Sequence, residues 1–412
     1  MKQYNFKSLE IKKCRGCNSS NLRKILFLGN QYLSDFTLGN KKPEKFPLNI
    51  ILCDDCSLLQ LKHNVPQSLL YTERYGYKSG INKTMQKELK EITNKAFNKL
   101  KKKTKNIVVV DIGANDGTLL SYYPKKVFKI GVEPIKKFTK ECRFKADIVI
   151  NDFFNYEACF RKIKTKKAHI ITTISCFYDM EEPNVFLTDI KKMLHKDGIV
   201  VIQQNYLVGM FQQNAFDNIV HEHLEYYSLL SLENLLKRNG LEVFDVETSD
   251  INGGSFRTYI SHLGKRKISK SVISMRNTEK KLNLKDSKSY NDFARRAENN
   301  RNKLRKFIYK LVKENKKIFV YGASTRGNTL LQYCGLGNNL IKAAVERNPE
   351  KWGKKIASVG IPIISEEQAR REKPDYMLVL PWFFKEEFIK REKNYLKSGG
   401  HFIFPLPKFK VV

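Results

Sequence analysis

The chain has 412 residues, a hydrophobic content of 41% and a formal net charge of +34. Its mean hydropathy of -0.47 and the lack of any apolar run of about 18 residues exclude a membrane-spanning helix. The start, MKQYNFKSLEIKKCRGC, has no apolar signal core, so we expect a cytoplasmic protein of two or three cores. The lysines are spread along the chain without an aromatic-interleaved basic patch, which favours solvated surfaces over a nucleic-acid-binding face.

Half of the eight cysteines form two CxxC pairs near the N-terminus: Cys14, Cys17, Cys53 and Cys56. Four thiolates give Zn²⁺ a closed tetrahedral shell, which is a structural arrangement. The alternative, a redox dithiol, would need only one such pair near a βαβ pattern. We therefore predict a zinc-binding domain over residues 1–70, with a β-hairpin region around KILFLGNQYLSDF between the pairs, that serves as a lid or clamp. The other four cysteines indicate small core residues.

The second segment begins with NIVVVDIGANDGTLLSYY, an apolar β-branched strand, a glycine-rich turn and a helix start. Its turn differs from the GxGxxG spacing that holds a pyrophosphate, which favours S-adenosylmethionine (AdoMet) over a dinucleotide. Glu133 ends the next strand and could accept both hydrogens of a ribose diol, and Asp152, at the following strand end, could read an adenine amine. The predicted cofactor residues in the turn are Asp111, Gly113, Asn115 and Gly117. The predicted AdoMet-binding domain covers residues 71–262.

The third segment begins with KKIFVYGASTRGNTLLQYC, again a strand, a glycine-containing turn and a helix. Strands and helices then alternate to the end, which predicts a second doubly wound α/β domain over residues 263–412. The turn between Gly322 and Gly327 contains Arg326. A helix N-terminus with a nearby arginine suits an anion such as a diphosphate, although the turn alone is also compatible with a domain that binds none.

The order of five motifs along the chain resembles a known family: CxxC…CxxC, DIGANDG, EHLEYYS, NGGSFR and YGASTRGNTLL. It is similar to the three-domain AdoMet-dependent C-methyltransferases that act on nucleotide-linked 4-keto-deoxyhexoses, over essentially the whole chain. The resemblance implies an α/β fold. In it a class I methyltransferase Rossmann-like domain follows a small zinc-binding domain and precedes a second Rossmann-like domain for the nucleotide sugar. It implies AdoMet and structural zinc as cofactors and a nucleotide-linked sugar as substrate.

In this family the block HEHLEYYS is catalytic, and the resemblance implies that His223 removes the proton beside the ketone. Glu222 or Glu225 could orient the imidazole, and Tyr226 or Tyr227 could hold the keto oxygen or the sugar. His221 is the weaker catalytic candidate. Two alternatives stay open: a polar helix start, and a metal site with both histidines on one face of a strand, for which no third ligand is evident.

The resemblance also implies a tyrosine reaching the active site from YGYKSG, for which we select Tyr77. NGGSFR is expected to be a substrate-facing loop, although a plain turn remains an alternative; its residues are Asn252, Gly253, Gly254, Ser255 and Arg257. Members that act on amino-deoxysugars carry a tyrosine where this chain has Val220. They carry a histidine where it has Asp179, which we keep as a catalytic candidate with Tyr178 beside it. The acceptor could therefore be a different sugar or carbon.

Three rival functions follow from the same residues. An O- or N-methyltransferase of a sugar or small metabolite would use the same cofactor turn without a base beside a ketone. A nucleic-acid methyltransferase is suggested by the charge of +34 alone. A nucleotide-binding scaffold without activity is disfavoured by the complete AdoMet turn together with the His/Glu block. The nucleotide, the sugar, the methylated carbon and the oligomeric state are left open.

Overall fold

The computed structural model describes residues 6–72, 78–100, 105–163 and 167–412, without the side chain of Asn252. Tyr77 lies outside the described residues. In this part of the chain, no helix is long and apolar enough to cross a membrane. The strands form three sheets, one for each segment of the sequence.

The N-terminal module is a small antiparallel sheet built around the two CxxC pairs. Its elements are β1 Leu22–Tyr32, β2 Phe36–Thr37, β3 Lys45–Cys53, β4 Leu59–Leu61 and α1 Gln67–Leu70. The expected hairpin is present, since β1 pairs with β3 and β3 with β4. Each CxxC pair closes a tight turn, in which Asn18 N donates to Cys14 O and Ser57 N to Cys53 O, both at 2.9 Å. Asn18 and Ser57 have positive φ values of 64° and 60°, and these turn the chain back toward the sulfurs.

The second module is a seven-stranded sheet with helices on its faces. After α2 Lys83–Asn98 its elements are β5 Val108–Ile112, α3 Thr118–Ser121, β6 Phe128–Val132, α4 Lys136–Cys142, β7 Ile148–Ile150, α5 Tyr156–Ile163, β8 Ala168–Ile174, α6 Pro183–Met193, β9 Leu194–Asn205, α7 Leu207–Gln212, β10 Glu225–Tyr226, α8 Leu229–Arg238, β11 Leu241–Ser249 and β12 Ser255–His262. The sheet order is β11-β12-β9-β8-β5-β6-β7, with β12 antiparallel to β9. This is the class I methyltransferase topology. The strand order reverses between β5 and β8, which places a ligand crevice at their carboxyl ends.

The third module is a second, mainly parallel sheet preceded by two lysine-rich helices. Its elements are α9 Lys270–Lys281, α10 Lys288–Lys313, β13 Ile318–Tyr321, α11 Thr325–Cys334, β14 Ala343–Glu346, β15 Lys355–Ile356, β16 Ile361–Ser365, α12 Glu366–Glu372, β17 Tyr376–Val379, α13 Lys385–Arg391, α14 Lys393–Lys397, β18 His401–Phe404 and β19 Lys410–Val411. The parallel strands follow the order β18-β17-β13-β14-β16. The order reverses between β13 and β17, so a second crevice lies near the start of α11.

Two short strands connect the N-terminal module to the other two. β2 pairs antiparallel with β15 at the edge of the third sheet. β10, the second half of HEHLEYYS, pairs antiparallel with β4, with Glu225 opposite Gln60 and Tyr226 opposite Leu59. The zinc-binding module therefore contacts both α/β modules through backbone pairing.

Candidate functional site

A cavity of about 1220 Å³ lies where the three modules meet. The second module contributes the turn after β5 and the ends of β6 and β8, and the third contributes the start of α11. The N-terminal module forms a further wall, with residues 33–36, 64 and 67–72. No motif in the sequence indicated this wall, because it depends on how β2 and β10 dock the module.

The turn after β5 forms the cofactor end of the cavity. Gly113 has a φ of +73°, and a Cβ there would lie 3.2 Å from Cys176 Sγ, so a side chain would fit poorly. Asn115 also has a positive φ, 51°, and its backbone N–H donates to Glu133 Oε2 at 2.8 Å. Ile135 N donates to Glu133 Oε1 at 2.8 Å. These two bonds fix the Glu133 carboxylate and leave each oxygen one lone pair for a ligand hydroxyl.

Two acids at this end of the cavity are buried, and burial disfavours their negative charge. Burial raises the pKa of Asp111 to about 7, although the Thr172 hydroxyl donates to its Oδ1 at 2.6 Å. Burial also raises the pKa of Glu133. A cation beside these groups would favour their ionised forms. The ammonium and sulfonium groups of AdoMet are such cations, so the residues fit this cofactor.

Two of the predicted cofactor residues do not line the cavity. Gly117, with a φ of +74°, is the N-cap residue before α3, and a Cβ there would lie 3.0 Å from Cys142 Cα. Asp152 is exposed and its Oδ1 accepts from its neighbour's backbone, Phe153 N, at 2.8 Å. Phe153 itself lines the cavity. The position of Asp152 therefore does not support the predicted contact with adenine, because its side chain is exposed and lies outside the cavity lining.

His223 lines the same cavity. Its Nδ1 lies 3.0 Å from the backbone oxygen of Asn218. A carbonyl oxygen can only accept, so Nδ1 carries the hydrogen and Nε2 keeps its lone pair. The ring of Tyr178 meets the imidazole edge to face at a centroid distance of 4.4 Å. Burial lowers the pKa of His223 to about 3, so the imidazole is neutral at neutral pH.

Glu222 also lines the cavity, and burial raises its pKa to about 7. We predicted that Glu222 or Glu225 orients the imidazole; in the structure the Asn218 backbone oxygen lies at Nδ1, so neither glutamate does so through that nitrogen. Glu225 lies elsewhere: it is buried in β10, with Oε1 3.9 Å from Arg15 Nε. Glu222 can thus act on the cavity directly, whereas Glu225 belongs to the contact with the zinc-binding module.

The remaining residues of HEHLEYYS do not line the cavity. His221 is buried, its Nε2 lies 3.2 Å from Phe46 O, and its ring packs against the Phe46 ring. Tyr226 and Tyr227 are 2% and 0% exposed in the core. The assignments of His221 to catalysis and of Tyr226 to substrate are therefore not supported by their positions. Residues 221 and 222 form a turn and residues 223 and 224 are irregular, so the two histidines do not share one face of a strand and have separate surroundings.

The NGGSFR loop meets the third module more than it meets the cavity. Gly253 lies against Trp382, with a Cβ position 3.1 Å from its ring, and Ser255 Oγ donates to Ile251 O at 2.8 Å. Ile251 lines the cavity, whereas Gly253 and Ser255 do not. The predicted role of Asn252 concerns a side chain outside the described part. The loop therefore acts mainly as the plain turn that we kept as an alternative.

Arg257 is the clearest departure from the predicted substrate site. Its side chain is 2% exposed and makes an internal polar network. Nε donates to Gln203 Oε1 at 2.7 Å, Nη2 to Glu88 Oε1 at 2.9 Å and Nη1 to Glu247 Oε2 at 3.3 Å. Its charge is thus used to join β12 to β9, β11 and α2, and not to bind a substrate.

Arg326 does line the cavity, at the start of α11. Its Nε and Nη2 donate to Asp217 Oδ2 at 3.1 Å and Oδ1 at 3.0 Å. Asp217 is fully buried and also accepts from Trp382 Nε1 at 3.0 Å. Ser324 caps the helix by accepting from Gly327 N at 3.1 Å. The arginine expected at a diphosphate is therefore held by a carboxylate that sequence reasoning missed, 109 residues away.

The four N-terminal cysteines come together as a metal-binding group. Their sulfurs all lie within 4.8 Å of one another, with Cys14–Cys56 at 3.6 Å and Cys17–Cys53 at 3.5 Å. A tetrahedral site with Zn–S bonds of about 2.3 Å has S···S edges of about 3.8 Å. Gln60 Nε2 donates to Cys14 Sγ at 3.1 Å, as is typical of structural zinc sites. The cluster fits a closed zinc site, and not a separate redox dithiol.

Three family profiles match the chain, one for each module. Residues 14–71 match a zinc binding domain, 81–246 a methyltransferase domain and 250–407 a C-methyltransferase C-terminal domain. Together these matches identify an AdoMet-dependent methyltransferase with an N-terminal zinc-binding domain and a C-terminal domain of the C-methyltransferase type. C-methyltransferase NovU of Streptomyces niveus is similar, with 29% identity over 98% of this chain and 97% of its own length.

Solved methyltransferase structures resemble under half of the chain. The plantazolicin methyltransferase BpumL in complex with SAH has a TM-score of 0.34 and 15% identity, covering 43% of this chain and 83% of its own. An S-adenosylmethionine-dependent methyltransferase from Clostridium acetobutylicum ATCC 824 has a TM-score of 0.35 and 11% identity, covering 43% of this chain and 92% of its own.

Proposed function

We propose that this C-methyltransferase acts on a keto-deoxysugar linked to a nucleotide diphosphate, and that His223 is the base. The observation that carries the proposal is the neutral imidazole, with its Nε2 lone pair, in a cavity that also contains the AdoMet turn and the start of α11. The similar protein NovU is named a C-methyltransferase, which supports a carbon acceptor. The proposed units are residues 1–70, 71–262 and 263–412.

The proposed reaction uses the acidity of a C–H bond beside a ketone. AdoMet supplies an electrophilic methyl group. His223 Nε2 takes the proton while the C–H electron pair moves toward the ketone oxygen and forms an enolate. The enolate carbon would then take the methyl group from AdoMet held at Glu133 and the turn after β5, with the neutral thioether as the leaving group. An ionised Glu222 would stabilise the imidazolium that results, so we assign it an assisting role.

The cavity is lined mainly by acids, whereas the whole chain has a formal net charge of +34. Among the described residues it is lined by these acids: Asp35, Glu44, Asp111, Glu133, Asp179, Glu181, Glu182, Asp189 and Glu222. Its lysine and arginine side chains are Arg326 and Lys351. A phosphate chain extending into an acid-lined cavity would be repelled, which disfavours a nucleic-acid acceptor. We place the single diphosphate of the sugar nucleotide at the start of α11, beside the two cations.

The proposal is tested with the zinc-loaded chain, AdoMet and a panel of nucleotide-linked 4-keto-deoxysugars. The matched control for each sugar is its 4-hydroxy counterpart, which has the same nucleotide but no acidic C–H bond. The expected result is a mass gain of one methylene on a keto sugar and none on its control. Methylation of the hydroxy sugar as fast as the keto sugar would instead favour an O-methyltransferase.

A further inference from the structure

Asp179 occupies an unusual position in the cavity wall. It ends a short 3-10 turn, Phe177–Asp179, directly after β8, and lines the same cavity as Glu222 and His223. Its Oδ1 is shielded from solvent and has no hydrogen-bond partner among the described residues. Tyr71, from the N-terminal module, forms a hydrogen bond with this carboxyl group. The cavity wall thus contains a carboxyl group with one oxygen that forms no hydrogen bond to the described residues.

The surroundings of Asp179 disfavour a negative charge. The titratable groups around it are Tyr71, Cys176, Tyr226, Glu222 and Glu225. None of them is a cation, and no lysine or arginine of the described chain forms an ion pair with Asp179. An ionised carboxylate shares its charge between both oxygens, so an unbonded, shielded oxygen carries a large cost. Burial, with Glu222 and Glu225 nearby, raises the pKa of Asp179 well above its usual range.

We propose that Asp179 works as a neutral carboxylic acid with Oδ1 as its shielded carbonyl oxygen, and that the hydroxyl on Oδ2 donates a hydrogen bond to the acceptor's ketone oxygen as that oxygen becomes the enolate oxygen. The inference rests on the proposed keto acceptor. No proton is transferred, because the hydrogen stays on Asp179 while His223 takes the carbon-bound proton. A donor aimed at an oxygen that gains charge stabilises the transition state more than the ground state. An ionised Asp179 would instead repel the enolate.

The protonation state can be measured without any acceptor. In the unfolded chain Asp179 ionises above about pH 4. A folded-state pKa above that value makes the wild type lose stability, relative to Asp179→Asn, as the pH rises. The loss is about tenfold in the folding equilibrium per pH unit. We expect the ratio of the two folding constants to change about 100-fold between about pH 5 and pH 7 in urea unfolding of the zinc-loaded chain.

The matched control for this measurement is Asp292→Asn. The Asp292 side chain is 39% exposed on α10 and pairs with Arg295 at 2.9 Å, so its removal should produce no divergence of this sign. Wild-type and Asp179→Asn curves that stay parallel from about pH 5 to pH 7 would overturn the neutral state of Asp179.

Activity distinguishes a hydrogen-bond donor from a carboxylate. With dTDP-4-keto-6-deoxyglucose as the probe, Asp179→Asn keeps a donor and should retain kcat within about tenfold of wild type, whereas Asp179→Leu should lose about 100-fold or more. An Asn variant as inactive as the Leu variant, with both folded, would overturn the donor role. If the wild type methylates no keto sugar, the proposed function fails, and the pH measurement still decides the state of Asp179.

Discussion

Replacing Arg257 with methionine should destabilise the fold without acting on the acceptor. The side chain is 2% exposed and makes charge-assisted hydrogen bonds of 2.7 to 3.4 Å, to Gln203, Glu88, Glu247 and Glu91. Removing one partner of a buried pair costs about 3–5 kcal/mol, and the side chain of Glu88, only 11% exposed, would stay behind without its cation. We expect a loss of about 3–5 kcal/mol in the free energy of unfolding.

The assay is urea unfolding of the zinc-loaded chain, together with KM for an accepted sugar in the fraction that stays folded. Glu91→Gln is the matched control: its side chain is 44% exposed and lies 3.4 Å from the Arg257 Nη1, so its loss should cost about 0–1 kcal/mol. A variant Arg257→Met with wild-type stability and a raised KM would refute the structural role and restore the substrate-binding interpretation.

The remaining predictions concern the cofactor, the pH dependence and the zinc site. Glu133→Gln should weaken AdoMet binding by about 10- to 100-fold in calorimetry, because a charge-assisted contact is lost, whereas exposed Asp152→Asn should change it little; equal effects would contradict the positions of the two side chains. With a pKa of about 7, Glu222 becomes ionised as the pH rises and then stabilises the imidazolium, so kcat should rise through about pH 7 and Glu222→Gln should flatten that rise; an unchanged slope would exclude Glu222 as its cause. Cys53→Ser should release zinc and abolish methyl transfer, since the N-terminal module forms part of the cavity wall; full turnover by a zinc-free chain would show that the module is dispensable.

The features that the sequence predicts well are those whose chemistry is local. The spacing of Cys14 and Cys17, and of Cys53 and Cys56, predicts two turns. A zinc site forms where these two turns lie side by side. The apolar β-branched run before Asp111 predicts a buried strand, and the glycine turn after it is also predicted from neighbouring residues alone. The alternation of strands and helices then leads to two doubly wound sheets.

The features that the sequence could not predict depend on partners far along the chain. His221 and His223 are two residues apart in the sequence. His221 contacts the backbone oxygen of Phe46, 175 residues away, whereas His223 lines the cavity. The motif NGGSFR predicts a substrate contact for Arg257, but in the structure Arg257 donates to Glu88 of α2, which is 169 residues away. In each case the direction of a side chain is set by a partner far along the chain, in the N-terminal module for His221 and within the second module for Arg257, and the local pattern contains no information about that partner.

The most direct measurement of the role of His223 is hydrogen exchange at the acceptor carbon in D₂O, without AdoMet. The wild type should exchange the hydrogen beside the ketone of an accepted sugar, detected as a mass gain of one unit. His223→Ala should reduce this exchange by about 100-fold or more while AdoMet binding is kept, and His221→Gln should exchange as the wild type does. Exchange by folded His223→Ala at the wild-type rate would contradict the assignment of the base.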